Sequence, residues 1–214
     1  MTYSYFQNFR AKITKNDLPG RAAQLLMTPQ LRQKELLELD FDSLSPKEAA
    51  VMCLLYPDQN NVLRFPLILR NKYPGVHSNQ VSFPGGKLDT CDDSFLACAL
   101  RETNEEIGVP TEDIQLLKQL TDVYIPPSNF LVKSFVGLLE KAPQFTPEPN
   151  EVQQIIQVSL DHLLDENSII EETITTSYAK SIKVQAFNLE GHVVWGATAM
   201  ILSELKVLLS DVFS

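Results

Sequence analysis

Apolar residues recur at helical spacing towards the two ends of this chain and gather into short continuous or alternating blocks between them. Residues 1–40 read as helical. FQNFRAKI and GRAAQLLM are separated by Pro19 and Gly20, and LRQKELLELDF follows with a charged face. Ser45-Pro46-Lys47-Glu48 carries a helix-start or turn signal. AAVMCLLYP and RFPLILR predict two buried strands joined by a hairpin-like turn from Asp58 to Asn61. A loop from Lys72 to Ser78 leads into a short strand, QVSF, which ends at Pro84-Gly85-Gly86.

The pattern then turns helical. Over residues 92–107, Leu96, Ala99, Leu100, Thr103 and Ile107 share one face, with Asp92 or Asp93 able to cap the start and Gly108 to stop the end. IQLLKQLTDVYI and LVKSFVGLLE read as strands joined across Pro126-Pro127-Ser128, and a proline-rich loop runs from Pro143 to Pro149. EVQQIIQVSL is strand-like and DHLLDE a short helix. Residues 168–188 hold two more β-type stretches around ITTSYA. ATAMILSELKVLL closes as an amphipathic helix, with Ala197, Ile201, Leu205, Leu208 and Val212 on one side. The irregular interleaving predicts an α/β (α+β) protein, a mixed sheet covered by helices rather than a regular doubly wound one. Residues 1–45 form a helical extension and residues 46–214 the main domain.

Composition narrows the function classes. The chain has 214 residues, 44% of them hydrophobic, which is enough for a domain-sized core. No apolar run approaches the roughly 20 residues of a membrane-spanning helix, and the N-terminus lacks a secretory apolar segment. Cys53, Cys91 and Cys98 are odd in number and contain no CxxC, so they suggest free thiols and a reducing, cytoplasmic setting. The net charge of −9, without a basic stripe, argues against nucleic acid as a partner. An acidic protein that handles an anionic substrate needs local positive charge, and a bound cation is its simplest source.

The chemistry concentrates in GGKLDTCDDSFLACALRETNEEIGV. Glu102, Glu105 and Glu106 stand at i, i+3 and i+4, on one helix face that points away from Leu96, Leu100 and Thr103. Carboxylates in that arrangement repel one another unless a cation compensates them, and hard oxygen donors suit Mg²⁺ or Mn²⁺. The preceding Gly85-Gly86 lets backbone approach a metal or phosphate closely. Arg101 adjoins the carboxylates and can orient one of them by paired hydrogen bonds.

These residues resemble the Nudix box, a glycine, five residues, a glutamate, seven residues and then R-E-U-x-E-E-x-G-U, where U is aliphatic. Gly86 and Arg101-Glu102-Thr103-Asn104-Glu105-Glu106-Ile107-Gly108-Val109 carry the match. Thr103 replaces an aliphatic residue, aspartate (Asp92 or Asp93) replaces the first glutamate, and the loop is one residue longer. Arg70, His77, Gln80 and Phe83-Pro84-Gly85-Gly86 narrow the resemblance to the coenzyme A pyrophosphatase branch of Nudix hydrolases, as do PNEV at 149–152, DHLL and Trp195-Gly196-Ala197-Thr198-Ala199. Asn71, Gly75 and Asn79 depart from that branch signature.

The resemblance implies a Nudix-like α/β/α sandwich with a mixed sheet between helices and added N-terminal helices. It implies a Mg²⁺- or Mn²⁺-dependent pyrophosphatase that cleaves coenzyme A or its derivatives to 4′-phosphopantetheine and 3′,5′-ADP. The alternatives are another nucleoside diphosphate derivative (ADP-ribose, a dinucleotide, a nucleoside triphosphate) or a Nudix-fold binding module without catalysis. Glu102, Glu105, Glu106 and the Gly86 carbonyl would hold metal, with Arg101 orienting a ligand carboxylate. Glu105, Glu106 or the distant Glu151 would serve as base, and Arg70, His77, Gln80 and Lys87 would bind substrate. His162 and His192 read as structural, Trp195 as a core or interface anchor rather than a base-stacking platform, and Tyr124 and Phe130 flank a loop expected near substrate. The expected partner is a small diphosphate, with no nucleic acid and no membrane; a homodimer could form through the N-terminal helices.

Overall fold

The computed structural model describes residues 3–28, 33, 36, 44–72, 78–175 and 181–213. The chain opens with α1 (Tyr3–Lys15) and α2 (Gly20–Leu25), followed by β1 (Lys47–Pro57), β2 (Leu63–Arg70), β3 (Val81–Ser82) and β4 (Gly85–Lys87). Helix α3 (Phe95–Ile107) precedes β5 (Gln115–Gln119), β6 (Val123–Ile125), β7 (Phe130–Leu138) and β8 (Val152–Ser159). Next come α4 (Leu160–Leu164), β9 (Ile169–Ile174), β10 (Ile182–Leu189), β11 (His192–Val194) and α5 (Gly196–Phe213).

The sheet is mixed, as expected. Its order is β3-β2-β1-β7-β5, with β4 paired to β1, β6 to β7 and β8 to β2. Strands β1 and β7 run parallel from the Lys47–Phe130 pair to the Leu55–Leu138 pair, while the other pairings are antiparallel. Strands β9, β10 and β11 make a second, three-stranded sheet.

Alternation along β1 explains the layers, because successive side chains of a strand point to opposite faces. Cys53 and Leu55 enter a core with Phe9, Ile13, Leu202 and Leu205, which belong to α1 and α5. Ala50, Met52, Leu54 and Tyr56 enter another with Ala99 and Ile107 of α3. The result is helix, sheet and helix stacked around two cores, the expected sandwich. The N-terminal helices share the first core. Lys118 of β5 docks α1 by donating from Nζ to the carbonyls of Ile13, Thr14 and Asn16 at the helix end.

Several local expectations are corrected. Ser45–Glu48 starts no helix; β1 begins at Lys47, after Ser45 with φ 41°. The stretch 114–125 is two strands, β5 and β6, rather than one. Gly85–Lys87 continues as β4 on β1 instead of merely ending a strand. Strand β11 had no expected counterpart. Helix α5 is buried on almost every side from Ala199 to Leu209, including Ser203, Glu204 and Lys206, so it is not one-sided. The three polar groups are satisfied inside: the Lys206 ammonium donates to the carbonyls of Leu163, Leu164 and Asp165, where α4 ends. Most of LRQKELLELDF, with Gly75, His77 and the side chain of Val212, lies outside the described residues, although Gln33 and Leu36 are helical.

Candidate active site

Helix α3 is set by its two ends. Ser94, not Asp92 or Asp93, caps it, accepting from the Ala97 N–H at 3.1 Å. Gly108 closes it at φ 74°, the left-handed conformation glycine tolerates. Thr103 is fully buried at a position where the resembled motif has an aliphatic residue; its hydroxyl donates to the Ala99 carbonyl at 2.6 Å, which removes the penalty of burying it.

The acidic face does not point uniformly to solvent. Glu105 is exposed, but Glu106 is only 1% exposed and turns towards the sheet. Glu106 Oε2 accepts from the Gly85 N–H at 2.8 Å, and Oε1 from Arg70 Nη1 at 3.0 Å. Burial pushes this carboxyl up to about 7; Arg70 and the Gly85 N–H oppose the shift, while Glu102 and Glu151 add to it. Glu102, half buried, is also raised, by desolvation first, against its bond to Arg101.

Arg101 does more than orient one carboxylate. Its Nε and Nη2 grip both oxygens of Asp92 at 2.9 Å, while Nη1 bonds Glu102 at 2.9 Å and Glu105 at 2.8 Å. The grip holds the Asp92 carboxyl well below its ordinary range and keeps the guanidinium charged. Asp92 therefore sits at the anchor position that the lengthened loop left ambiguous.

The glycine pair is needed because of what lies against it. At Gly85, φ 151°, a Cβ would meet the Ala50 carbonyl oxygen at 2.3 Å. At Gly86 a Cβ would sit 2.4 Å from the Glu102 carboxyl carbon. The Gly86 carbonyl receives the Cys98 thiol at 3.7 Å; that thiol is itself pushed up to about 12 by burial.

Glu151 belongs to a loop pinned to this centre. Its carbonyl accepts from the Asn71 N–H at 3.0 Å, and Asn71 Nδ2 donates to the Pro149 carbonyl at 2.9 Å. Asn71, which departs from the branch signature, thus ties the PNEV turn to the end of β2. Glu148 N–H bonds the Glu106 carbonyl at 3.0 Å, and the Glu151 charge acts on both Glu102 and Glu106.

A cavity of about 540 Å³ opens beside the centre. Arg70, Gln80, Gly85, Gly86 and Lys87 line one part of it. Tyr124 and Phe130 do too, as their flanking position suggested, and Trp195 lines it rather than only anchoring a core. Motif reading missed Met27, Thr28 and Met200, which also line it; no spacing signal marks them. Of the expected substrate residues, Arg70 is bonded to Glu106, and His77 lies outside the described residues. His162 pairs with Glu190 at 3.1 Å, far from this chemistry in the chain.

Among the described residues, no three His, Cys, Asp or Glu side chains already converge as a metal cage. Arg101 and Arg70 hold the carboxylates instead. The donor set nevertheless fits a hard divalent cation: it is all oxygen, and the one carboxylate lying over Gly86 is accommodated only because glycine has no Cβ.

This fold and acidic helix define the chain as a Nudix hydrolase, a pyrophosphatase by class: the family model described as NUDIX domain matches residues 46–177, more than half of the chain. Within the family it falls with the coenzyme A pyrophosphatase-like branch. It is 31% identical over 164 residues to the human mitochondrial coenzyme A diphosphatase NUDT8, spanning 73% of this chain and 66% of that protein. It is 34% identical over 129 residues to the uncharacterized Nudix hydrolase NudL of Photorhabdus laumondii, spanning 60% of this chain and 68% of NudL. A MutT/nudix family protein from Enterococcus faecalis shares the fold, with TM-score 0.52 and 18% identity over 98% of this chain and 75% of its own. Among the described residues, no helix is long and apolar enough to cross a membrane.

Proposed function

We propose that the chain hydrolyses the diphosphate of coenzyme A or its derivatives, giving 4′-phosphopantetheine and 3′,5′-ADP. The observation that carries this reading is the packing of Glu102 against Gly86 beside the buried Glu106–Arg70 pair, where Gly86 and Arg70 also line a cavity large enough for an organic substituent. The branch relationship to a coenzyme A diphosphatase supports the substrate.

Glu102, Glu105, Glu106 and the Gly86 carbonyl would hold Mg²⁺ or Mn²⁺. Such an ion neutralises charge on phosphate oxygens and acidifies water when bound. The chain's own residues do the rest. Arg101 fixes Glu102 and Glu105 relative to Asp92, so the acidic face is preorganised. Arg70 offsets the charge of the buried Glu106, and whichever of Glu105 and Glu106 the metal leaves free would act as general base. Glu151 is the alternative base, carried on a loop anchored by Asn71. Lys87 and Gln80, which line the cavity, would meet phosphate or its substituents.

The test is product identity. Coenzyme A incubated with the protein and Mg²⁺ should yield the two named products by chromatography. Cleavage of ADP-ribose, a dinucleotide or a nucleoside triphosphate, with coenzyme A untouched, would reassign the substrate. The unpaired cysteines support a cytoplasmic setting, to be checked by imaging the tagged chain. Residues 1–45 would be an extension of the domain at 46–214, and a homodimer formed through the exposed Leu18 and Leu26 would double the mass read by light scattering and lose it on Leu26→Glu.

A further inference from the structure

We propose that Glu204, acting through helix α2, positions the wall of the cavity that receives an apolar substituent of the diphosphate substrate. This rests on the diphosphate-hydrolase reading for the headgroup only, not on coenzyme A.

The cavity lining is of two kinds. Arg70 and Lys87, on and beside the strands that carry the glycine pair, suit an anionic head. Ile125, Trp195, Met200 and Ile201, from other elements, suit an apolar group attached to that head. Two buried hydroxyls on this lining, Thr28 Oγ1 and Ser82 Oγ, have no hydrogen-bond partner among the described residues. Thr28 is only 5% exposed, and an unpartnered buried hydroxyl asks for a ligand or water.

Met27, Thr28 and Leu36 come from the segment ahead of residues 46–177, so this wall is supplied from outside the matched domain. Helix α2, which leads into it, has six residues and no side-chain cap. A helix that short does not hold itself in place. Glu204, fully buried on α5, does so. Its carboxylate accepts from the Gly20 N–H at 3.2 Å, Gln24 Nε2 at 2.8 Å and Thr121 Oγ1 at 2.6 Å. Ser203 adds a bond from Oγ to the Ala23 carbonyl at 2.7 Å. Glu204 is not itself one of the residues that line the cavity; it is a positioning residue that acts through α2.

The test measures binding to two uncleavable probes, the methyl and dodecyl monoesters of methylenebisphosphonate, by calorimetry with Mg²⁺. The wild-type protein should bind the dodecyl ester about tenfold or more tightly than the methyl ester. Glu204→Gln should reduce that ratio to about twofold, because an amide presents its NH₂ to groups that are themselves donors. Gln24→Met, which removes the side-chain partner of Glu204 on α2, should reduce it as well and decides the matter if Glu204→Gln folds poorly; Met27→Trp, which narrows the cavity with the Glu204 bonds intact, should reduce it too and checks that this wall sets the ratio. A merely structural role would weaken both probes alike and leave the ratio unchanged. No chain-length preference in the wild type, or a preference retained in folded Glu204→Gln or, failing that, in Gln24→Met, overturns the inference. Coenzyme A hydrolysis is scored separately, so loss of that reading leaves the probe ratio to stand or fall alone.

Discussion

Glu106 and Glu204 are glutamates with almost no exposed surface, and the protein surrounds them in opposite ways. Glu204 is met by neutral donors from Gly20, Gln24 and Thr121, drawn from a helix and a loop far apart in the chain. Among the described residues no lysine or arginine pairs with it. Glu106 is met by one backbone N–H and one cation, Arg70, and feels the like charges of Glu102 and Glu151. A carboxylate enclosed by fixed donors holds architecture together. One balanced by a single movable cation and pressed by like charges is ready to exchange its partner, which is what a site for a metal or a proton requires.

The same isosteric change at the two positions should therefore have opposite outcomes. The largest effect expected is on turnover: Glu106→Gln should lower kcat/KM by about a thousandfold, roughly 4 kcal/mol, with unfolding stability retained or raised. Steady-state kinetics beside urea denaturation reads both, and unchanged turnover would remove Glu106 from the mechanism.

Next in size is a pH effect. Folding raises the Glu106 carboxyl from its ordinary 4.5 to about 7, so the folded state favours the protonated form. That contribution, about 3 kcal/mol, is complete below pH 4.5 and is lost as pH rises through 7. Metal-free wild-type protein should lose it between about pH 5 and pH 8 relative to Glu106→Gln. A flat difference between the two unfolding profiles would contradict the burial argument.

Glu204→Gln should instead destabilise by about 2 kcal/mol, because buried donors lose their acceptor. Equal or greater stability than wild type in urea would erase the contrast. Thr121→Val removes one of those donors and should cost about 1 kcal/mol, the smallest shift of the set.

Much of this contrast is readable in the sequence on one side only. The i, i+3, i+4 spacing exposes Glu102, Glu105 and Glu106 as a cluster, and the flanking glycines and Arg101 strengthen it. What spacing does not convey is that Glu106 turns inward, since that depends on Arg70, thirty-six positions away. Glu204 is invisible by pattern. Amphipathic reasoning assigns such a residue to a solvated stripe, and only the arrival of α1, α2 and α4 around α5 buries every side of it. The strands over AAVMCLLYP and RFPLILR were legible because continuous apolar runs leave few alternatives. The split into β5 and β6 was not, because the turn between them carries no glycine or proline. The ambiguity between Asp92 and Asp93 is resolved by Arg101, a partner counting alone does not choose.

The bond between Gln24 and Glu204 joins residues 180 positions apart. During synthesis the first helices leave the ribosome long before α5 exists. Phe9, Ile13 and Met27 then lack the apolar partners that α5 later supplies. The docking of α1 and α2 therefore waits for α5, so a premature stop before α5 would undo that docking as well as delete the helix.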